Sequence, residues 1–178
     1  MADSPAFNKL LEIEKRSREH ACDLPQQVEA KAMWSGVGFS LAGNRFVVPM
    51  REVAEILHVP RFTQVPGVQS WVKGVANVRG RLMPVLDLIS FLDRVSEFPL
   101  KRRRLLVIER GELYSGLIVD AVLGMQHFPV DSFVNELPGS FQATRPYLKG
   151  GYRKDDDVWG IFSLHSLAQD PQFMNVAS

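Results

Sequence analysis

Hydrophobic and polar residues alternate with a period of two along much of the chain from residue 36 onward, a pattern typical of β-strands. In residues 36–48 the alternation is interrupted by Ala42-Gly43-Asn44, which predicts a turn and therefore a hairpin. Residues 105–119 predict a second hairpin. A further strand pair is predicted within residues 72–88, turning near Arg79-Gly80-Arg81. We therefore expect a mainly β protein.

Helical spacing is limited to short segments. Residues 4–22 predict a helix, because Ser4 can cap it and apolar residues recur every three to four positions. Residues 53–57 predict a short helix, because their three large apolar side chains fall on one helical face. Another short helix is predicted around Leu88.

A repeat organises the chain. The segment that starts at Tyr147 matches the segment that starts at Trp71 without a gap, and we call the separation of these two residues in sequence the repeat offset. Lys73-Gly74 meets Lys149-Gly150, and the apolar strand positions that follow coincide. We therefore predict two similar small β-barrels packed on each other.

The repeat also predicts domain boundaries. The β domain is expected to span residues 36–168, with halves of about 36–100 and 101–168. Residues 1–35 are predicted to be an extension that the barrels do not need for folding. Residues 169–178 are predicted to be a C-terminal tail.

Composition excludes several classes of protein. A net charge of +1 argues against bulk electrostatic attraction to nucleic acid or to a membrane surface. The single cysteine, Cys22, has no partner for an internal disulfide, which fits a reducing compartment. No apolar run reaches the length of about 18 residues that a membrane span needs, and the first thirty residues lack the apolar core of a signal peptide. We expect a soluble cytoplasmic protein without membrane insertion.

Catalytic, metal and cofactor motifs are missing from the sequence. There is no phosphate-binding P-loop, no dinucleotide fingerprint, no H-E-x-x-H and no nucleophile elbow. The four histidines are isolated from one another. Asp155-Asp156-Asp157 falls where the repeat places a hairpin turn, so a solvated turn is a better interpretation than a cation site. We predict no enzyme activity, metal or cofactor.

The basic run Lys101-Arg102-Arg103-Arg104 allows a second hypothesis. Small barrels bind single-stranded nucleic acid when a basic groove lies beside exposed aromatic side chains. Here the run lies between the two repeats, and the aromatic residues fall at core positions. We interpret it as a solvated linker that is also able to contact an acidic partner. A single-stranded nucleic-acid-binding barrel remains the alternative.

Three blocks of sequence, taken in order, resemble a known family. The stretch VPGVQSWVKGVANVRGRLMPVLDL (residues 65–88) is similar to the signature of the CheW-like coupling domain of bacterial chemosensory systems. The stretches FVVPMREVAEIL (46–57) and YSGLIVDAVLGM (114–125) match the other two blocks. The resemblance covers about residues 36–168. WSGVGF and GMQHFPVD, with the N-terminal extension, resemble the branch that serves type IV pili and twitching motility.

The resemblance implies a fold and a function. The family fold has two five-stranded SH3-like barrels with an apolar interface. Its members are non-catalytic adaptors in two-component signal transduction. They couple the cytoplasmic tip of a methyl-accepting chemoreceptor to the regulatory domain of a CheA-like histidine kinase. The expected location is therefore the cytoplasm, at membrane-anchored receptor arrays.

The resemblance also assigns site residues. It places receptor binding in a groove between the barrels and kinase binding at barrel ends. The matching partner-binding positions are Val53, Glu55, Gly74, Asn77, Arg79, Leu105 and Leu106, with Gly43 and Asn44 as possible kinase contacts.

The resemblance makes one specific structural prediction, a pair between Arg79 and Glu55. It sets the segment that contains Glu55 against the turn that contains Arg79. An arginine buried without a partner would cost several kcal/mol, which also requires Arg79 to be exposed or paired.

Overall fold

The computed structural model describes residues 5–19, 32–111 and 113–178, which divide into two compact units. The first unit contains helix α1 (Pro5–Glu19), whose described side chains are exposed. The predicted N-terminal helix is therefore confirmed over these residues; its other positions, and Cys22, lie outside the described residues. The second unit is residues 32–178 and contains every strand that the structure describes.

The second unit contains eleven strands in two sheets. In chain order the strands are β1 (Met33–Leu41), β2 (Asn44–Pro49), β3 (Val53–His58), β4 (Val72–Val78), β5 (Arg81–Asp87), β6 (Arg104–Arg110), β7 (Leu113–Val119), β8 (Ala121–Pro129), β9 (Phe133–Val134), β10 (Leu148–Lys154) and β11 (Asp157–Phe162). The short helices are α2 (Leu88–Phe91), α3 (Leu164–Ala168) and α4 (Pro171–Met174). The prediction of a mainly β fold is confirmed.

The two sheets have the same strand order. The five-stranded sheet runs β3-β6-β7-β5-β4, and the six-stranded sheet runs β8-β1-β2-β11-β10-β9. Strands at matching places pair in the same sense, including the parallel pairs β5–β7 and β2–β11. The predicted repeat is therefore confirmed at the level of the sheets, and β9 is an addition at one edge.

The repeat offset holds in atomic detail. Strands β4 and β10 begin and end at equivalent positions of the two repeats, and α2 and α3 also begin at equivalent positions. The Asp87 N–H donates to the Trp71 carbonyl oxygen at 2.7 Å, and the Ser163 N–H donates to the Tyr147 carbonyl oxygen at 2.7 Å. Asp87 and Ser163 also cap the two helices with their side chains.

The two sheets exchange strands between the repeats. In the five-stranded sheet, the hairpin β6–β7 comes from the second repeat and the other three strands come from the first. In the six-stranded sheet, the hairpin β1–β2 comes from the first repeat and the other four strands come from the second. A division of the domain at about residue 100 therefore does not follow the sheets. The connections explain the exchange: β2 and β3 are joined by three residues, which reach about 10 Å, whereas returning along a six-residue strand takes about 20 Å. The chain has to pass directly into the other sheet.

Three apolar clusters fill the unit. The largest lies between the sheets and includes Phe39, Phe46, Leu106 and Leu117. Each sheet also curls around a smaller cluster of its own, one with Met83 and Leu105 and one with Tyr152, Phe128 and Trp159. Strand β6 contributes to two of these clusters and is therefore covered on both faces.

Residues 53–57 form a strand, so the predicted short helix is wrong. In β3 half-buried and exposed residues alternate with a period of two. Five of its residues are in register with β6, from Val53–Ile108 to His58–Arg104. Pairing with a strand from the other repeat decides the conformation of this short segment, in which Val53 and Leu57 fit both periods and Ile56 fits only the helical one.

The domain extends beyond both predicted boundaries. Strand β1 begins at Met33, and the centroids of the Trp34 and Tyr152 rings are 5.2 Å apart. At the other end Phe173 is buried and stacks on Trp71, with 5.4 Å between the ring centroids. The Gln69 N–H donates to the carbonyl oxygen of Val176 at 2.9 Å. Residues 33–35 and 169–178 are therefore joined to the domain by these contacts, although most of the side chains in 174–178 are exposed.

A candidate partner-binding surface

The hairpin between β4 and β5 has a two-residue turn at Arg79-Gly80. Both residues have positive φ, 52° and 82°, as a type I′ turn requires. The Gly80 N–H donates to Asn77 Oδ1 at 2.8 Å. We call residues 77–82 the Arg79 hairpin. Asn77 therefore shapes the turn, and the turn directs Arg79 toward solvent.

Arg79 forms an ion pair with Glu55, as predicted. Its Nη2 donates to Glu55 Oε1. The Arg79 side chain is 80% exposed, whereas that of Glu55 is 24% exposed. Strands β3 and β4 are the two edges of the five-stranded sheet, so this pair joins edges that the curl of the sheet brings together. An exposed pair contributes only about 0–1 kcal/mol, so its main effect is on geometry.

Exposed side chains continue from the Arg79 hairpin. Leu82, on strand β5, is 73% exposed. Arg81 donates to Glu109 Oε1 at 3.1 Å, and its Cζ lies 3.7 Å from the centre of the Tyr114 ring. The hairpin therefore presents one apolar and two cationic side chains, each cation held by a neighbour.

Gly74 lies where two backbones nearly touch. A Cβ at this position would be 2.1 Å from the Thr63 carbonyl oxygen, and φ is +143°. Val75 and Thr63 exchange backbone hydrogen bonds at 2.8 and 2.9 Å. Gly74 is buried and has no side chain to offer a partner. Its role is to hold the segment after β3 against β4, behind the Arg79 hairpin.

The other predicted site residues are spread over the domain. Val53 is half-buried against the cluster between the sheets. Gly43 is exposed in the β1–β2 turn, and the Asn44 side chain donates to the Ser140 carbonyl oxygen at 2.9 Å. Leu105 and Leu106 are fully buried, so their assignment to a partner surface is wrong. Both faces of β6 are covered, and a partner does not reach them.

A buried ion pair was missed in the sequence. Arg103 donates to both oxygens of Asp87, at 2.9 and 2.6 Å, and both side chains are 6% exposed. The interpretation of the whole basic run as a solvated linker is therefore wrong for Arg103. Asp87 at the end of an apolar strand was the available signal, since a buried carboxylate needs a cation.

A second buried carboxylate, Asp120, extends this charge cluster. It lies at the connection between β7 and β8, where the chain passes from one sheet to the other. Its oxygens accept hydrogen bonds from the Ala42 N–H at 2.9 Å and the Ser96 hydroxyl at 2.5 Å. Arg103 Nε is 3.8 Å from Asp120 Oδ1. The cluster therefore ties the β1–β2 turn to the segment between the repeats.

Asp87 makes a testable contribution to acid stability. Burial opposes its ionisation, but the Arg103 hydrogen bonds and charge, with help from Lys73, hold the pKa of Asp87 below its usual value of 3.8. A lowered pKa gives stability that is present above the unfolded pKa and is lost as the pH falls through the folded pKa. Urea unfolding should therefore show a loss of stability below about pH 4.

The matched control for this experiment is the double variant Asp87→Asn, Arg103→Met, which removes the titrating carboxylate together with its cation. We expect its stability to fall less between pH 5 and pH 3 than that of the unsubstituted chain. Parallel pH profiles for the two proteins would show that Asp87 does not carry the effect.

The described residues contain no group of three or more His, Cys, Asp or Glu side chains able to hold a metal ion. In the same part of the chain, no helix combines the length and the apolar character needed to cross a membrane.

Comparison with known proteins identifies the family. The model of the CheW-like domain matches residues 35–172. Protein PilI of Pseudomonas aeruginosa is 50% identical over 171 residues, 96% of each chain. Protein FrzA of Myxococcus xanthus is 36% identical over 92 residues, 52% of this chain and 58% of FrzA. The resemblance to the pilus branch is therefore confirmed.

A solved structure agrees with this result. The scaffolding protein TtCheW from Thermoanaerobacter tengcongensis superposes with a TM-score of 0.66 at 26% identity, covering 78% of this chain and 94% of that protein. Both sheets lie within residues 33–162, and the family model spans nearly all of that range. The chain belongs to the family of CheW-like domain proteins.

Proposed function

We propose that this chain is a non-catalytic adaptor that couples a methyl-accepting chemoreceptor to a CheA-like histidine kinase and thereby controls type IV pilus motility. The observation that carries the proposal is the 50% identity to PilI over 96% of both chains. The matches to FrzA and to a CheW scaffolding protein support the chemosensory part. The proposed location is the cytoplasmic side of receptor arrays.

The proposed receptor site is the Arg79 hairpin together with β3. Arg79 supplies an exposed, permanently charged planar group, and Glu55 fixes its position. Asn77 and Gly74 support the site by holding the backbone of the hairpin and of the segment beside it. Val53 borders the site and contributes apolar contact.

The proposed kinase contact is the β1–β2 turn at Gly43 and Asn44. Gly43 has a φ of +80°, and a Cβ there would meet no atom within 4 Å, so the turn leaves room for a partner. The turn is fixed at Ala42 by Asp120 and at Asn44 by Ser140. A rigid turn loses little conformational freedom when it binds.

The alternative of single-stranded nucleic-acid binding has little support in the described residues. Binding of that kind needs exposed aromatic rings beside a basic groove. Trp71, Trp159, Tyr147 and Tyr152 are all buried. Lys101 and Arg102 are exposed but have only Phe98 as an exposed aromatic residue within the same segment.

Affinity capture from the native cells tests the proposed function. We expect the tagged chain to recover both a histidine kinase and a methyl-accepting receptor, whereas Arg79→Ala should recover the kinase and about tenfold less receptor. Arg153→Ala removes an exposed arginine from another strand and serves as the matched control. Recovery of neither protein by the unsubstituted chain would refute the adaptor function.

The Arg79–Glu55 pair predicts a specific double-mutant result. Arg79→Ala should lower the free energy of unfolding by no more than about 1 kcal/mol, because the pair is largely exposed. In a receptor-binding assay, Glu55→Ala should be weaker in effect than Arg79→Ala. The double variant should bind no worse than Arg79→Ala alone. Fully additive losses would show that the two residues act independently.

A further inference from the structure

The connection between β3 and β4 is a long irregular loop. It covers residues 59–71, and residues 63–67 in its middle are all exposed. Irregular loops of about 12–15 residues are uncommon in compact domains, and they are usually either functional or disordered. We call residues 59–71 the β3–β4 loop. Its conformation depends on the contacts that hold it from outside.

The end of the chain holds the second half of this loop. The Gln69 N–H donates to the Val176 carbonyl oxygen at 2.9 Å, and Gln69 Nε2 donates to the Ala177 carbonyl oxygen at 2.8 Å. The Ser178 N–H donates to the Gly67 carbonyl oxygen at 3.1 Å. The last three residues therefore pair with the loop in an antiparallel bridge.

A buried ring anchors this terminal segment. Phe173 is 3% exposed, and its ring stacks on Trp71, the last residue of the loop, with 5.4 Å between the centroids. Just before α4, the Tyr147 hydroxyl donates to the Asp170 carboxylate. We call residues 170–178 the C-terminal strap. The strap is therefore clamped at its start and lies along the loop at its end.

The strap is able to open without unfolding of the domain. The side chains of residues 174–178 are all exposed, so this part of the strap is held by hydrogen bonds at the surface. Segments with few buried apolar contacts open at a much lower free energy than core strands. Loss of the Phe173 ring should therefore release the strap and the second half of the loop while both sheets remain paired.

The loop is important because of the two strands that it joins. Strand β3 carries Glu55, and β4 leads into the hairpin that carries Arg79. These two residues pair across the two edges of the five-stranded sheet. In its first half the loop is bound to β4, since Thr63 and Val75 exchange backbone hydrogen bonds. A shift of the loop therefore acts on both edges.

We propose that the C-terminal strap is a positioning element for the receptor site: it holds the β3–β4 loop and thereby fixes the spacing of Glu55 and Arg79. Gln69 and Phe173 are its positioning residues. This inference rests on the proposed function, because it takes the Arg79 hairpin with β3 as the receptor site. A site whose backbone is fixed in advance loses less conformational entropy on binding. Release of the strap should therefore weaken receptor binding more than kinase binding.

Hydrogen exchange of the full chain, measured by mass spectrometry, tests the hold on the loop. In Phe173→Ala we expect peptides from residues 63–71 to exchange about tenfold faster than in the unsubstituted chain, and peptides from β6 and β7 to exchange at an unchanged rate. Phe128→Ala is the matched control, because it removes a buried phenylalanine ring from a different apolar cluster. It should leave exchange of the loop unchanged. Phe173→Leu and Phe128→Leu replace any alanine variant that does not fold.

A disulfide lock provides a reversible rescue. Val68 and Ala177 face each other as a non-hydrogen-bonded antiparallel pair. Their Cα atoms are expected to be about 4.5 Å apart, a distance that a disulfide spans. Val68→Cys with Ala177→Cys, in a chain with Cys22→Ser, should therefore close the strap when oxidised. Added to Phe173→Ala, the oxidised lock should slow exchange of the loop again, and dithiothreitol should abolish this effect.

Affinity capture from lysates of the native cells tests the effect on the site. Purified tagged Phe173→Ala should recover about fivefold less methyl-accepting receptor relative to histidine kinase than the unsubstituted chain. The oxidised lock should restore the receptor-to-kinase ratio, and the reduced lock should not. Phe128→Ala should leave the ratio unchanged, which separates positioning of the site from a general loss of stability.

Three results would overturn the proposal. They are unchanged exchange of the loop in Phe173→Ala, faster exchange of the loop with an unchanged receptor-to-kinase ratio, and a ratio that the oxidised lock does not restore. Recovery of neither protein by the unsubstituted chain would instead contradict the proposed function. The exchange rates would then still show on their own whether the strap holds the loop.

Discussion

Replacing Arg103 with alanine should destabilise the domain by about 3–5 kcal/mol, because the substitution leaves Asp87 buried without its cation. The carboxylate loses both strong hydrogen bonds, and the remaining cation, Lys73, is 3.9 Å away. This loss is a large fraction of the total stability of a small domain. The free energy of unfolding in urea measures it directly.

Arg102→Ala is the matched control, since Arg102 is the exposed neighbour of Arg103 and its loss should change the stability by only about 0.5 kcal/mol. Asp87→Asn combined with Arg103→Met should recover part of the loss, because residue 87 then carries no charge, while Asp120 keeps its hydrogen bonds from the Ala42 N–H and the Ser96 hydroxyl. Equal effects of Arg103→Ala and Arg102→Ala would mean that the buried pair is energetically unimportant.

Gly74→Ala should destabilise the domain by about 2–5 kcal/mol. The new Cβ would lie 2.1 Å from the Thr63 carbonyl oxygen and 2.7 Å from its carbonyl carbon. These are backbone atoms, so the conflict is relieved only by moving the segment after β3 away from β4. The φ of +143° adds strain for any residue with a side chain. Thermal and urea unfolding both report the loss.

Gly139→Ala is the control for this substitution, because Gly139 is exposed, has no positive φ and has no atom within 4 Å of the added Cβ. It should unfold like the unsubstituted chain. If Gly74→Ala were as stable as the unsubstituted chain, the close contact of the new Cβ with Thr63 would be relieved at no cost in free energy. Limited proteolysis around residue 63 would then detect whether the segment had moved.

The strands and their repeat were predictable because both depend on local pattern. Alternation of apolar and polar residues is visible along a single strand. The repeat is found by comparing the chain only with itself. The exchange of hairpins between the sheets was not predicted. It follows from the lengths of the β2–β3 and β7–β8 connections once the strand order is known.

Strand β3 shows why short segments are ambiguous. Val53, Ile56 and Leu57 fit a helical face, and Val53, Glu55 and Leu57 fit one face of a strand. The segment becomes a strand because β6, about fifty residues later, supplies its hydrogen bonds. Rules that use only neighbouring residues do not include this distant pairing partner.

The candidate site was predictable only in part. The Arg79–Glu55 pair came from the family resemblance, which carries information about contacts between distant residues. The burial of Leu105, Leu106 and Arg103 depends on which elements cover both faces of β6 and its first residues. Hydrophobic pattern indicates that a residue is apolar, but it does not tell a core strand from an apolar binding surface.

The exchange of hairpins between the sheets has a consequence for synthesis on the ribosome. The β1–β2 hairpin is made first, yet the strand it pairs with in parallel, β11, begins at Asp157, about 100 residues later. At about 5–20 residues per second, roughly 5–20 seconds separate the two. During that interval Phe39 and Phe46 lack the Phe162 ring that later packs against both. All strands of the five-stranded sheet have been synthesised by residue 119, whereas the six-stranded sheet waits for β10 and β11.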